Sequence, residues 1–134
     1  MPNENEKLTI NLGVVELAQI DVLVEQGIYS NRSDFIRSSV RKHLEHYRDK
    51  IENTLIPVSD QKTWRWTLGV LRLSKNELLG LADDNATISI SVIGMLVINT
   101  DISPELFIKT VKQVSLRGKL VASDEIRNII KQMN

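Results

Sequence analysis

The chain has 134 residues, with 17 Lys+Arg against 17 Asp+Glu and no cysteine. Zero cysteine excludes disulfides, thiol catalysis and thiolate metal sites. The longest apolar run, residues 88–98, is too short for a bilayer and is interrupted by Ser and Gly. With no secretory n-region, a cytoplasmic protein without membrane contact is expected.

Hydrophobic residues make up 42% and charged residues 25%, as in a folded chain of one or two small domains. Residues 1–6 read as a tail. Residues 7–12 (KLTINL) then alternate strictly, with Leu8, Ile10 and Leu12 on one side and Lys7, Thr9 and Asn11 on the other. One strand alone has no sheet to join and leaves its amides and carbonyls unpaired. The simplest partner is the same strand from a second copy, antiparallel about a two-fold axis. Such a ribbon presents its polar face twice and fits the major groove of DNA.

The next segment, 14–26, spaces Leu17, Ile20, Leu23 and Val24 as a helix and stops at Gly27, a natural C′ residue. Val15 and Val22 occupy another face and suit a partner chain or the rest of this one. A second helix starts after Asn31. It carries Phe35, Ile36, Val40, Leu44 and Tyr47, and nothing stops it before Glu52. Asn31 is a good N-cap, with Asp34 three residues on, where a carboxylate can reach back to the cap. A domain of this size buries too little surface as a monomer, so dimerisation is expected for stability as well as function.

The alternating strand, the helix ending in Gly27 and the stretch G27-I-Y-S-N-R-S-D-F-I-R37 together resemble the ribbon-helix-helix (CopG-like) family of bacterial DNA-binding regulators. The resemblance covers about the first 45 residues. It implies an obligate homodimer whose shared ribbon enters the major groove of double-stranded DNA. It places Lys7, Thr9 and Asn11 at the base-reading positions and Asn31, Arg32 and Ser33 at the phosphate anchor. The chemistry of these residue types agrees. Lys donates to guanine or phosphate, Asn pairs bidentately with adenine, and Thr offers a hydroxyl and a methyl. A helix N-terminus offers free amides and the positive end of a dipole to phosphate. Taken singly, Asn31 and Ser33 serve as well as plain helix caps, and Lys7 as a solvated charge.

Charge counts against this reading. Residues 1–52 hold seven Lys/Arg and nine Asp/Glu, whereas phosphate binding rewards a basic domain. Glu16, Asp21 and Glu25 on the first helix would have to lie away from the ribbon. Modest non-specific affinity is expected, with two or more dimers acting on adjacent sites.

Pro57 breaks the chain within a polar stretch, which sets a ribbon-helix-helix domain at 1–53, a linker at 54–63 and a second domain at 64–134. The second domain repeats: G69-V-L-R-L-S, G94-M-L-V-I-N and G118-K-L-V-A-S each lead into a capped helix start, at Ser74, Ser103 and Ser123. The helices read as 76–82, 104–114 and 124–133. Three strand–helix units predict parallel strands, either as a short solenoid or as an ordinary small α/β layer. The whole chain is thus α+β.

This half holds neither His nor Cys and no glycine-rich phosphate loop, so an enzyme is not expected, nor a metal or cofactor. Nickel-responsive members of the family place His and Cys ligands there. His43 and His46 lie at i and i+3 on the second helix, where metal ligation competes with a plain cationic helix end. Trp64 and Trp66 share one face of a strand and either cover the end of the sheet or anchor another subunit. The resulting reading is a homodimeric transcriptional regulator such as a repressor, with a tetramer and a small-molecule or protein effector as roles for the second domain. The alternatives are an antitoxin or plasmid-maintenance regulator, and a scaffold that uses the ribbon only to dimerise.

Overall fold

The computed structural model describes residues 5–55 and 64–133. Residues 1–4 of the expected tail and 56–63 of the expected linker, Pro57 among them, lie outside the described residues. The chain divides into two compact units, with the boundary between Ile51 and Glu52.

The first unit contains α1 (Val14–Glu25), α2 (Arg32–His46) and all but the last residue of the short α3 (Arg48–Glu52). α1 closes in a Schellman motif. Gly27 adopts φ 77°, its amide donates to the Val24 carbonyl, and the Ile28 amide donates to that of Leu23. The Tyr29 ring meets the Phe35 ring edge-on at 5.0 Å and fixes the turn between the helices. The second helix does not run unbroken to Glu52. The Tyr47 amide reaches back only three residues, to Leu44, and the helix ends there before α3 begins. Within one chain this unit has almost no core: α2 buries no residue and α1 buries only Ile20.

The second unit contains β1 (Trp64–Leu73), α4 (Lys75–Asp83), β2 (Ile88–Ile98), α5 (Pro104–Thr110), β3 (Val111–Val121) and α6 (Asp124–Met133). The strands form one parallel sheet in the order β1-β2-β3. Each strand runs into a helix whose start is capped by a serine. The Ser74, Ser103 and Ser123 hydroxyls accept from the amides of Glu77, Leu106 and Ile126. The three helices supply Leu78, Phe107, Ile126 and Ile130 to a single core with Leu71, Leu73, Ile90, Val92, Leu96 and Ile98. All three helices therefore cover the same sheet face.

The helix expected to reach Val114 stops at Thr110, and β3 starts at once. Val111 and Val114 both point into the core although they lie three apart, because an extra residue sits in β3 opposite the Ile88/Ser89 step. A bulge of this kind lets an odd spacing face one side of a sheet.

Gly69, Gly94 and Gly118 stand in one row across the sheet, at φ 130°, 137° and 136°. Leu71, Leu96 and Leu120 form the next inward-facing row. Leu96 is fully buried, and Leu120 is partly buried against the same core. Leu96→Ala should cost ~2–5 kcal/mol of the second unit's stability, and Leu120→Ala less. Urea unfolding followed by tryptophan fluorescence reads this directly, since both tryptophans lie in β1.

Candidate nucleic-acid interface

Lys7, Thr9 and Asn11 are all exposed, as the base-reading assignment requires. So are the apolar residues between them. Leu8 is 83% and Ile10 48% exposed, and residues 5–13 pair with no other strand among the described residues of the single chain. Beside this segment lie two open apolar grooves. One, of about 630 Å³, is lined by Leu8, Ile10, Ser33, Ile36, Arg37 and Arg41 among others. The other, of about 410 Å³, is lined by Ile10, Leu12, Ile20, Leu23, Phe35 and Val40 among others. Ile10 borders both.

The start of α2 is firmly built. The Asn31 side-chain oxygen accepts from the Asp34 amide at 2.8 Å. The Asp34 carboxylate accepts from the Ser30 amide at 3.0 Å, one residue before the cap rather than at it. The first-turn amides of Arg32 and Ser33 have no acceptor within the helix and face outward from its end.

Arg32 is already engaged. Its Nε and Nη2 donate to the two carboxylate oxygens of Asp21 at 2.8 and 2.9 Å, bridging α1 to the start of α2. The hydrogen bond from Arg32 holds the Asp21 carboxyl below the usual carboxylate range, and the same bond raises the Arg32 guanidinium. The contribution of this pair is therefore complete above the ordinary carboxylate pKa and fades as pH falls through the depressed value. Both side chains remain well exposed, so the bridge orients more than it stabilises. Asp21 is thus bonded to the proposed anchor itself.

Two further cations join the site. Arg37 and Arg41 follow Ser33 at four-residue steps along α2 and line the groove beside Leu8 and Ile10. The i, i+4, i+8 spacing is visible in the sequence, but the groove that gives it meaning is not. His43 and His46 stack on each other at 6.3 Å and both abut the Tyr47 ring. Among the described residues no group of three or more His, Asp or Glu is placed to hold a metal ion, and no helix is long and apolar enough to cross a membrane.

The chain is similar to a curated protein, the transcriptional regulator CdrS of Halobacterium salinarum. The two are 33% identical over 45 residues, which cover 34% of this chain and 82% of that protein. That relative is archaeal, whereas the motifs of residues 7–37 resemble those of bacterial regulators. No solved structure matches. A family model described as the Ribbon-Helix-Helix transcriptional regulator family matches residues 3–127, and so takes in the parallel sheet as well as the helices. On that match, the chain belongs to the ribbon-helix-helix family of transcriptional regulators.

Proposed function

We propose that the chain is a homodimeric, sequence-specific DNA-binding regulator in which residues 7–12 of two copies pair as an antiparallel ribbon and enter the major groove. The observation that carries this reading is the exposure of Leu8 and Ile10 against grooves that Ile10 itself borders. A second copy supplies the missing core, and pairing the strands turns Lys7, Thr9 and Asn11 outward as one polar face. The α2 start then holds phosphate through the amides of Arg32 and Ser33, with the Asn31 cap fixing their direction. The parallel-sheet unit serves assembly or response to an effector. A scaffold that dimerises without binding DNA is favoured by one observation, the excess of acidic residues in positions 1–52.

Selection of bound sequences from random duplex DNA separates the two, because a scaffold enriches nothing. On the selected site, Asn11→Ala should lose ~1–3 kcal/mol of discrimination at particular base pairs and leave non-specific binding nearly unchanged. Asp21→Asn should do the reverse. It frees Arg32 for phosphate, so all sequences bind more tightly and the salt dependence steepens by about one contact. Titrations against specific and scrambled duplexes at several salt concentrations check both. If Lys7, Thr9 and Asn11 can all become alanine without effect, the ribbon is a dimerisation device only.

A further inference from the structure

The sheet of the second unit has two free edges among the described residues, and they differ in kind. β3 carries Lys112, Arg117 and Lys119. Such charges are the usual protection of a strand edge against pairing. β1 lacks that protection. It is ten residues long, contains no proline, and has no charge between Arg65 and Arg72. On the face away from the helices it presents Trp66, Leu68 and Val70 in alternation, exposed by 48%, 38% and 41%.

We propose that β1 pairs antiparallel with β1 of a second copy about a two-fold axis at Gly69, joining two three-stranded sheets into one of six strands. The proposal is independent of DNA binding. The register follows from the residues. Centred on Gly69, Leu68 lies opposite the partner's Val70, and Trp66 opposite the partner's Arg72. On the other face, Arg65 meets the partner's Leu73 and Thr67 the partner's Leu71. No like charges face each other, and each arginine is set against an aromatic or aliphatic neighbour, which suits a cross-strand pair. At the centre, a side chain on Gly69 would point into open space, so two backbones can approach there as the glycine row does inside the sheet.

The other edge pairings fare worse on the same criteria. β3 against β3 about Gly118 would oppose Arg117 and Lys119 in both copies, a like-charge contact. β1 against β3 of the next copy is head-to-tail and closes only where the rotation per copy completes a ring. Of the two two-fold pairings, the β1 pair is the one that avoids charge repulsion. A ten-residue strand offers about 33 Å of edge for it.

The test uses the full chain, which has no cysteine of its own. Leu68→Cys with Val70→Cys should form a covalent two-chain species on mild oxidation at tens of micromolar, many-fold faster than either single variant. The same cross-link should form in an Ile10→Lys background, which separates sheet pairing from ribbon pairing. Leu68→Lys, checked for native circular dichroism in the second unit, should make tryptophan several-fold more accessible to acrylamide. A double-cysteine variant that stays single-chained or links no faster than the singles overturns the proposal. So does a link lost with Ile10→Lys, or unchanged quenching in Leu68→Lys.

Discussion

Gly94→Ala should destabilise the second unit by more than about 4 kcal/mol, beyond the range of ordinary substitutions. Two independent constraints act at this residue. Its φ of 137° is a conformation that side chains rarely adopt. A Cβ there would also overlap the carbonyl oxygen of Gly69 and stand 2.9 Å from its carbonyl carbon. The obstacle is backbone of the neighbouring strand, so no rotamer change relieves it, and the β1–β2 ladder must part. Gly118 meets Gly94 in the same way. In a Leu68→Lys background, where the outer edge of β1 stays unpaired, Gly69 provides the internal control, because it shares the positive φ but within the single chain a Cβ there meets no described atom. Gly69→Ala should cost only the backbone term, ~1–3 kcal/mol. Chemical unfolding monitored through Trp64 and Trp66 measures all three. Equal costs for Gly69→Ala and Gly94→Ala would refute the close-approach account.

The repeat of Gly-x-Leu is legible in the sequence because the glycines and leucines keep nearly one spacing across three strands. It predicts parallel strands with the leucines in register, and the sheet has both. The end of α5 is hidden for a physical reason. Phe107, Val111 and Val114 follow each other at intervals of four and three, the period of a helix face. The strand meets the same spacing by inserting one extra residue, and a bulge leaves no mark on composition. The break at Tyr47 is hidden likewise, since no proline or glycine announces it.

The candidate interface is legible in part. Residue type and alternation locate Lys7, Thr9 and Asn11, and the Asn31 cap forms as expected with the Asp34 amide. The bridge between Asp21 and Arg32 joins residues eleven apart across a turn, and neither helical nor strand periodicity marks such a pair. It changes the chemistry of the site, because the cation assigned to phosphate is already neutralised by a carboxylate. The missing basic balance of residues 1–52 thus has a local counterpart at α2, and the helix amides, rather than the guanidinium, become the principal phosphate donors of the proposed complex.

Ile10→Lys should abolish the fold of the first unit while leaving the second intact. Ile10 borders both apolar grooves, as Ile36 and Val40 of α2 do, and in the proposed dimer it is enclosed by the two strands and by α2 of each chain. A lysine there places two ammonium groups among Leu12, Ile20, Leu23, Phe35, Ile36 and Val40, while the carboxylates that line the same grooves, Glu6 and Glu16, are exposed to solvent. Unpaired buried charge is among the few causes of losses above about 4 kcal/mol. The single chain cannot absorb the loss, because α2 buries no residue of its own. Far-ultraviolet circular dichroism should lose the helical signal of α1 and α2, and limited proteolysis should cut within residues 14–46. Fluorescence from Trp64 and Trp66 should keep its native spectrum and unfolding midpoint. Ile10→Val, which removes one methylene, should cost only ~0.5–1.5 kcal/mol per chain and preserve both signals. Helices that persist in Ile10→Lys would mean that the first unit folds without a partner strand, and the shared ribbon would have to be abandoned.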